Sequence, residues 1–222
     1  MVSLVLIASA QPASAAVCDL ATNCAIPSAA ASCRAFATLS TDPSNEGIGS
    51  EAHVMTPPGN VSEGNHAWRA DPGLTFPSVN GHLGAVESFC QSFTDAGGVR
   101  RACGRAVIED LFLDLNPVVR ATLTLWGGTS YGCSSLGPRG VEVFNQAHIE
   151  RLIVSIGNGV TTFDIAAHDP NFSIMLGPGT RLIVNEQNPM PGICPSSTGS
   201  LLHLQTPDGD LILGWVSTSA CL

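Results

Sequence analysis

The chain of 222 residues contains no lysine, and all nine of its basic residues are arginines. A chain without lysine supplies no Schiff-base amine, no Ser–Lys dyad and no P-loop lysine for phosphate binding. Eighteen Asp and Glu residues against these arginines give a formal net charge of −9. Nucleic-acid binding requires a clustered basic surface, so no nucleic-acid partner is predicted.

Aromatic residues are also scarce, at 5% of the chain, whereas hydrophobic residues make up 44%. The core is therefore expected to consist of Val, Leu, Ile and Ala, and the hydrophobic content excludes a globally disordered chain. No apolar run approaches the roughly 20 residues that a transmembrane helix needs. We therefore predict no membrane span in the mature chain.

The first residues, Met1–Ala15, resemble a secretory signal peptide. Val2–Ala8 is a short apolar run, and Ala13-Ser14-Ala15 matches the A-x-A type of cleavage site. We predict a signal peptide over 1–15, an N-terminal arm rich in Ala, Ser and Cys over 16–45, and a single β domain over 46–222. The predicted location is extracellular, with or without association with the cell wall.

The cysteine content agrees with secretion, because the chain has eight cysteines, an even number that can all form disulfides. Disulfides are predicted rather than zinc ligands, since no pair has the close C-x₂₋₄-C spacing of zinc sites. The spacing leaves the connectivity open; a local Cys90–Cys103 bond and one bond among Cys133, Cys194 and Cys221 are expected. The eight disulfide candidates are Cys18, Cys24, Cys33, Cys90, Cys103, Cys133, Cys194 and Cys221.

Short apolar runs separated by turn sequences predict an all-β fold, an antiparallel β-sandwich or barrel-like domain with disulfides. The clearest signal is Gly199–Thr206 and Leu211–Thr218 around Pro207-Asp208-Gly209-Asp210, which is typical of a hairpin turn. Val119–Trp126 alternates apolar and polar residues and precedes a predicted turn at Gly127-Gly128. The other candidate strands are Glu51–Met55, Ala67–Ala70, Ala85–Ser92, Arg105–Leu115, Val141–Asn145, Glu150–Ile156, Val160–Ile165 and Thr180–Gln187.

One catalytic motif is present: Gly128-Thr129-Ser130-Tyr131-Gly132 matches the G-x-S-x-G nucleophile elbow of α/β-hydrolases. Asp164 or Asp169, followed by His203, gives the chain order of that triad. An elbow needs a strand-to-helix turn, and the glycine and proline soon after Gly132 would end a helix. We therefore predict a glycine-rich loop with Cys133 in a disulfide. A secreted serine hydrolase using Ser130, Asp169 and His203 is the alternative.

Neither a metal site nor a cofactor is predicted. The six histidines show no H-x-H or H-x-x-x-H spacing, and His203 alternates with Leu202 and Leu204, which places it on the outer face of its strand. A third class of function is glycan binding by aromatic stacking on a β-sandwich. The tryptophans that would form the stacking face are Trp68, Trp126 and Trp215.

Three ordered segments of the C-terminal half resemble the choice-of-anchor P family of secreted actinobacterial proteins. They are Arg181–Gln187 (RLIVNEQ), Leu201–Leu204 (LLHL) and Gly209–Gly214 (GDLILG), followed by Cys221. Their order is similar to the family pattern ILNEQ, LHV, GDVIIG and a closing cysteine, and the resemblance covers residues 84 to 222. It implies a secreted or surface module without an established catalytic activity. No anchor signal follows Cys221, so release or non-covalent wall association is expected.

These observations together predict a secreted extracellular or cell-surface module with a structural or interaction role and no catalytic activity. Cell-wall or surface components are the expected partners. The argument against an enzyme is the absent lysine chemistry, the unsuitable context of the Ser130 motif and the dispersed histidines.

Overall fold

The computed structural model describes residues 31–40, 51–56, 61–68, 73–76, 79–94, 97–115, 119–157, 161–165 and 169–221. Within these ranges the chain forms strands and turns without a helix, which confirms the all-β prediction. The predicted signal peptide, Cys18 and Cys24 lie outside the described residues. The strands are β1 (Ala31–Ser40), β2 (Glu51–Thr56), β3 (Val61–Trp68), β4 (Gly73–Phe76), β5 (Val79–Leu83), β6 (Val86–Thr94), β7 (Arg100–Asp114), β8 (Ala121–Gly137), β9 (Gly140–Ile156), β10 (Thr161–Ile165), β11 (Phe172–Gly177), β12 (Thr180–Met190), β13 (Ser196–Thr206) and β14 (Gly209–Ala220).

The strands form two antiparallel sheets that pack face to face. Sheet A has six strands in the order β11-β12-β13-β14-β1-β2. Sheet B has eight strands, of which β10, β9, β8 and β7 are consecutive neighbours. Beyond β7, sheet B continues as β5 with β4 and as β6 with β3. Residues 31–40, which the sequence assigns to the arm, form β1 in sheet A between β14 and β2.

The main core lies between the sheets and consists almost entirely of Leu, Ile and Val. Alternation explains its composition, since successive strand residues point to opposite faces and the inward set is apolar. On β8, for example, Ala121, Leu123 and Leu125 are buried. The composition therefore agrees with the prediction from the low aromatic content.

At one end of the sandwich the core is built from small side chains. Ala31, Cys33, Ala35, Cys90, Ala102, Ala106 and Val216 form this second cluster. Gly104 shows why small residues are needed: a β-carbon there would lie 2.6 Å from Cys33 Sγ and 2.8 Å from Val216 Cγ1. The two sheets therefore approach closely at this end.

In sheet A the in–out alternation reverses along a row of adjacent residues. The row consists of Asn185 on β12, Leu201 on β13 and Gly214 on β14, and strand pairing keeps the same register on both sides of it. Asn185 and Gly214 have positive φ angles of 54° and 62°. On β13 both Leu201 and Leu202 consequently point into the core. We call this set the reversal row of sheet A.

Sheet B has its own reversal row, with the opposite sense. It consists of Glu109 on β7, Gly127 on β8 and Glu150 on β9, again without a register shift. On β8, positions 126 and 127 both face outward, Gly127 has a φ of 62°, and Gly128 is the next buried residue. Sheet A therefore adds an inward residue in each strand of its row, whereas sheet B adds an outward one.

Three disulfides connect the described cysteines, in agreement with the predicted disulfide-containing fold. They are Cys33–Cys90, Cys103–Cys133 and Cys194–Cys221. One bond was predicted among Cys133, Cys194 and Cys221, and it is present as Cys194–Cys221. The predicted local Cys90–Cys103 bond is wrong, because Cys90 faces β1 across the sandwich and Cys103 pairs directly with Cys133 on β8.

The C-terminal hairpin is confirmed, whereas two strand boundaries differ from the sequence prediction. Gly209 pairs with Thr206 and has a φ of 138°, which closes the turn between β13 and β14. The predicted turn at Gly127-Gly128 lies inside the continuous strand β8. The two segments predicted as Val141–Asn145 and Glu150–Ile156 are parts of the single strand β9. Nothing in the described part of the chain forms a helix long and apolar enough to cross a membrane.

Candidate functional site

Ser130 lies in the middle of β8, where it pairs with Ala106 on β7 and Ala147 on β9. Its side chain is buried between the sheets, with an exposed fraction of 2%. The chain continues past it as an extended strand to Gly137. The predicted glycine-rich loop is therefore wrong, and the strand–turn–helix context of a nucleophile elbow is absent here.

The other two residues of the alternative triad lie in sheet A or beside it. Asp169 is exposed in the turn that precedes β11, and His203 belongs to β13. Among the described contacts, no hydrogen bond or ion pair joins Ser130, Asp169 and His203 to one another. The structure thus places the three residues in separate environments.

His203 has carboxylate neighbours on both sides instead. On the outer face of sheet A, its Nδ1 lies 2.9 Å from Glu186 Oε2, and Ser200 Oγ donates to the same oxygen over 3.2 Å. Its Nε2 lies 3.5 Å from Asp210 Oδ2, close enough for ionic attraction but without the geometry of a hydrogen bond. We call Glu186, Ser200, His203 and Asp210 the His203 cluster.

The electrostatics of this cluster favour the charged pair. Burial opposes protonation of His203, but Glu186 and Asp210 together outweigh it and raise the pKa of the imidazole above its ordinary value. The hydrogen bond with His203 lowers the pKa of Glu186, against the opposing effect of burial. An imidazole between two carboxylates is expected to be a cation over a wider pH range than free histidine.

The geometry of the His203 cluster does not prepare a nucleophile. A serine hydrolase needs an imidazole nitrogen that accepts the serine proton, while the other nitrogen faces a carboxylate. Here both nitrogens face carboxylates, and the Ser200 hydroxyl donates to Glu186. Among the residues that the structure describes, no group of three His, Cys, Asp or Glu side chains could hold a metal ion.

The segments Arg181–Gln187, Leu201–Leu204 and Gly209–Gly214 converge on this region. Asn185 and Gly214 are the two positive-φ residues of the reversal row of sheet A. Glu186, His203 and Asp210 are the charged members of the His203 cluster. The short motifs NEQ, LH and GD therefore lie in one continuous patch on three neighbouring strands of sheet A. This patch contains both the positive-φ residues of the reversal row and the ion pairs of the His203 cluster.

Sequence reasoning singled out Trp126 but missed the exposed Phe112 next to it on the outer face of sheet B. Phe112 on β7 and Trp126 on β8 occupy diagonal positions, with exposed fractions of 43% and 42%. The Arg151 guanidinium lies over the Trp126 ring, 5.3 Å from its centroid. Trp126 pairs with Asp110, which lies 3.7 Å from His82 Nε2. We call Phe112 and Trp126 the aromatic platform.

Simple alternation from the buried Leu125 explains why Trp126 is outward. Beside it, the Glu150 side chain occupies the space where a β-carbon at Gly127 would lie. A second aromatic contact, Tyr131 against Phe144 with centroids 5.6 Å apart, lies farther along the same face. The signal for the platform was the pattern of β7, where Phe112 stands between the buried Leu111 and Leu113.

The three tryptophans do not share one face. Trp126 is on the outer face of sheet B. Trp215 is on β14 of sheet A, on the strand face opposite to that of the core residue Val216, and its ring centroid lies 5.5 Å from that of Phe36. Trp68 belongs to β3, and its side chain lies outside the described parts of the structure. The predicted stacking face formed by all three tryptophans is therefore wrong, because Trp126 and Trp215 belong to different sheets.

Comparison with known proteins adds no relative to this description. The chain matches no family model, no curated protein and no solved structure.

Proposed function

We propose that this protein is a secreted extracellular or cell-surface interaction module without catalytic activity. The observation that carries the proposal is the contrast on β8 between a buried Ser130 and an exposed Trp126. The motif that resembles a nucleophile faces the core, and the aromatic platform faces the surroundings. Exposed aromatic residues with polar neighbours are typical of recognition surfaces.

The disulfides support the extracellular part of the proposal. Three bonds join β1 to β6, β7 to β8, and the loop before β13 to the residue after β14. Disulfides persist in oxidising compartments and are rare in a reducing cytosol. The resemblance to choice-of-anchor P proteins, which are secreted or surface modules, leads to the same proposal.

The experiment is co-sedimentation of the protein with actinobacterial cell-wall fragments, the partner that the resemblance suggests. Phe112→Ala with Trp126→Ala is expected to lower the bound fraction by about tenfold, because aromatic anchors contribute most of the energy of a contact surface. Met175→Ala is the matched control, since Met175 is 63% exposed but lies on β11 of sheet A. Equal loss in both variants, or no binding by the unchanged protein, would contradict the proposed partner.

Absence of catalysis is tested separately with a fluorophosphonate probe. The buried Ser130 is expected to remain unlabelled, and Ser130→Ala is expected to leave both the fold and the probe result unchanged. Labelling that disappears in Ser130→Ala would instead support the serine hydrolase.

Glycan binding is the second candidate, and the aromatic platform is the observation that favours it. A ring pair on an exposed sheet face suits stacking against the apolar face of a sugar. Thr124 pairs with Phe112 on one side and with Ile153 of β9 on the other. Wall polysaccharide is expected to change the tryptophan fluorescence of the protein, and Trp126→Ala is expected to remove that change. A change that persists in this variant would assign the signal to another tryptophan and reject the platform.

A further inference from the structure

β9 is a long strand with a partly unpaired edge. It pairs with β8 over its whole length, from Gly140 to Ile156, whereas β10 covers only Leu152–Ile156 on its other side. Among the described residues, no strand pairs with positions 141–149 on that side. Val141 and Phe144 in this segment have exposed fractions of 39% and 43%. An unpaired edge of this length is a template for adding another strand.

The direction of one hydrogen bond shows which backbone groups face the free edge. The Ala147 N–H points away from β8 and donates to Asn185 Oδ1 over 3.0 Å. Backbone groups alternate along a strand, so the N–H and C=O groups of Val141, Val143 and Asn145 face the same edge. The amides of the residues between them point to β8.

We propose that this edge is a self-docking site, on which β9 of a second copy of the chain adds antiparallel to β9 of the first, with Asn145 opposite Asn145. This inference does not depend on the proposed function. The pairing extends sheet B into a continuous sheet across two copies. It uses residues 141–149, so it does not compete with β10, which begins its pairing at Leu152. At Ala147 the second copy would have to replace Asn185 Oδ1 as the acceptor of the backbone N–H.

Charge complementarity supports this register. With Asn145 opposite itself, Glu142 of each copy faces His148 of the other, and twofold symmetry creates this pair twice. Both side chains are on the outer face of the strand and exposed. A shift of the centre by one residue to Gln146 would instead oppose Glu142 and Glu150. Carboxylates directly opposite each other on neighbouring strands are destabilising.

The side chain of Asn145 supplies a second and independent argument. It is buried, with an exposed fraction of 6%, and neither its Nδ2 nor its Oδ1 has a hydrogen-bond partner among the described residues. It lies in a space between Gly132 and Gly199, where a β-carbon at Gly132 would come within 2.9 Å of Oδ1. Both amide atoms now face Gly132 on β8 and Gly199 on β13. Directly opposed residues have β-carbons about 5 Å apart, so in the proposed register rotation of the two Asn145 amides toward the edge would let them hydrogen-bond to each other.

Sedimentation analysis of the full chain over a concentration series tests the proposal. We expect a reversible monomer–dimer equilibrium, and we expect Val143→Pro to remove it, because proline deletes an N–H at the free edge without touching the ladder to β8. Monomer at every concentration up to the solubility limit would overturn the proposal. A dimer that survives Val143→Pro in a folded protein would also overturn it.

Charge variants test the register even if Val143→Pro fails to fold. His148→Glu places two Glu–Glu pairs in the interface and is expected to raise the dimer dissociation constant about tenfold. Gln146→Glu is the matched control, because it adds the same charge on the same face of β9 but opposite Phe144. The double variant Glu142→Arg with His148→Glu is expected to restore dimerisation. These two positions are six residues apart in one strand, so rescue can occur only between copies; its absence would reject the register.

Amide exchange provides a readout at single residues. Raising the protein concentration is expected to slow exchange at Val141, Val143 and Asn145, and to leave Glu142 and Phe144 unchanged. Asn185→Gly keeps the positive φ accessible and frees the Ala147 N–H, so we expect it to lower the dissociation constant. Concentration-independent exchange, or an unchanged dissociation constant in Asn185→Gly, would contradict edge pairing at β9.

Discussion

Leu201 of sheet A lies directly against Gly128 of sheet B: a β-carbon built on Gly128 would overlap Leu201 Cδ2 and come within 3.1 Å of Leu125 Cδ2. The contact joins the two reversal rows. Leu201 is the additional inward side chain of sheet A, and Gly128 is the first buried residue after the reversal in sheet B. The absence of a side chain at Gly128 thus makes room for the leucine.

Gly128→Ala is therefore expected to destabilise the protein by about 1 to 3 kcal/mol, because an additional methyl group overpacks the core. Denaturant unfolding without reductant measures this change. Gly192→Ala is the control, since nothing lies within 4 Å of a β-carbon at Gly192. Adding Leu201→Val to Gly128→Ala is expected to recover part of the loss, and a purely additive pair would show that the two residues are not coupled.

The His203 cluster predicts a stability maximum in mildly acidic solution. His203 has a raised pKa, so its contribution is present below the ordinary histidine value of 6.5 and is lost as the pH rises through the folded value. Glu186 has a lowered pKa, so its contribution is present above the ordinary value of 4.5 and is lost as the pH falls through the folded value. Both contributions are therefore present between pH 4.5 and pH 6.5.

His203→Gln is expected to flatten this pH dependence and to cost about 2 kcal/mol within the window, because Glu186 and Asp210 lose their cation. Unfolding free energies measured across the pH series check both statements. Thr206→Ala serves as a matched control on β13, since Thr206 bonds only within the hairpin turn. An unchanged pH profile in His203→Gln would show that the cluster contributes no linkage.

The disulfides are expected to differ in their order of reduction. Cys194 is exposed, whereas Cys33 and Cys90 have exposed fractions of 1% and 0%. A water-soluble dithiol under native conditions is therefore expected to open Cys194–Cys221 first, and alkylation followed by peptide mapping identifies the bond. Earlier opening of Cys33–Cys90 would indicate that the end of the sandwich with small side chains separates before the loop.

Replacing both cysteines of Cys194–Cys221 by serine is expected to lower the free energy of unfolding by about 3.5 kcal/mol in the chain-entropy treatment, given the sequence separation of 27 residues. The same change at Cys33–Cys90, with a separation of 57, is expected to cost more, because the closed loop is longer and the cysteines are part of the core. Denaturant unfolding of the two variants compares them. A smaller loss at Cys33–Cys90 would show that its packing is strained.

The fold class follows from local sequence, because alternation and turn residues are local properties. Pro207, Asp208 and Gly209 predict the hairpin that the structure contains. Alternation also places His203 opposite Leu202 and Leu204, and both leucines are in the core. What the sequence does not show is the partner across the sheet, since Glu186 and His203 are 17 residues apart along the chain.

The errors at Gly127-Gly128 and in β9 both come from features of the sheets that the local sequence does not show. Glycines in a strand are needed when another chain segment approaches closely, and that segment here is Leu201 on the opposite sheet. The break predicted between Asn145 and Glu150 reflects polar residues that face outward and the reversal at Glu150. The pairing of Phe112 with Trp126 was missed for another reason: the local sequence does not show that two residues far apart along the chain are diagonal neighbours on β7 and β8.

The conformation of Gly127 has one further consequence, for the identity of the molecular surface. If β8 kept a uniform two-residue repeat from Ala121, Leu123 and Leu125, then Tyr131 would enter the interior and Ser130 would meet the solvent. The positive φ at Gly127 changes the phase of the strand, so the assignments are interchanged. The backbone conformation at Gly127 therefore determines which side chain of β8 is on the solvent-exposed face: the hydroxyl group of Ser130, or the aromatic ring of Tyr131.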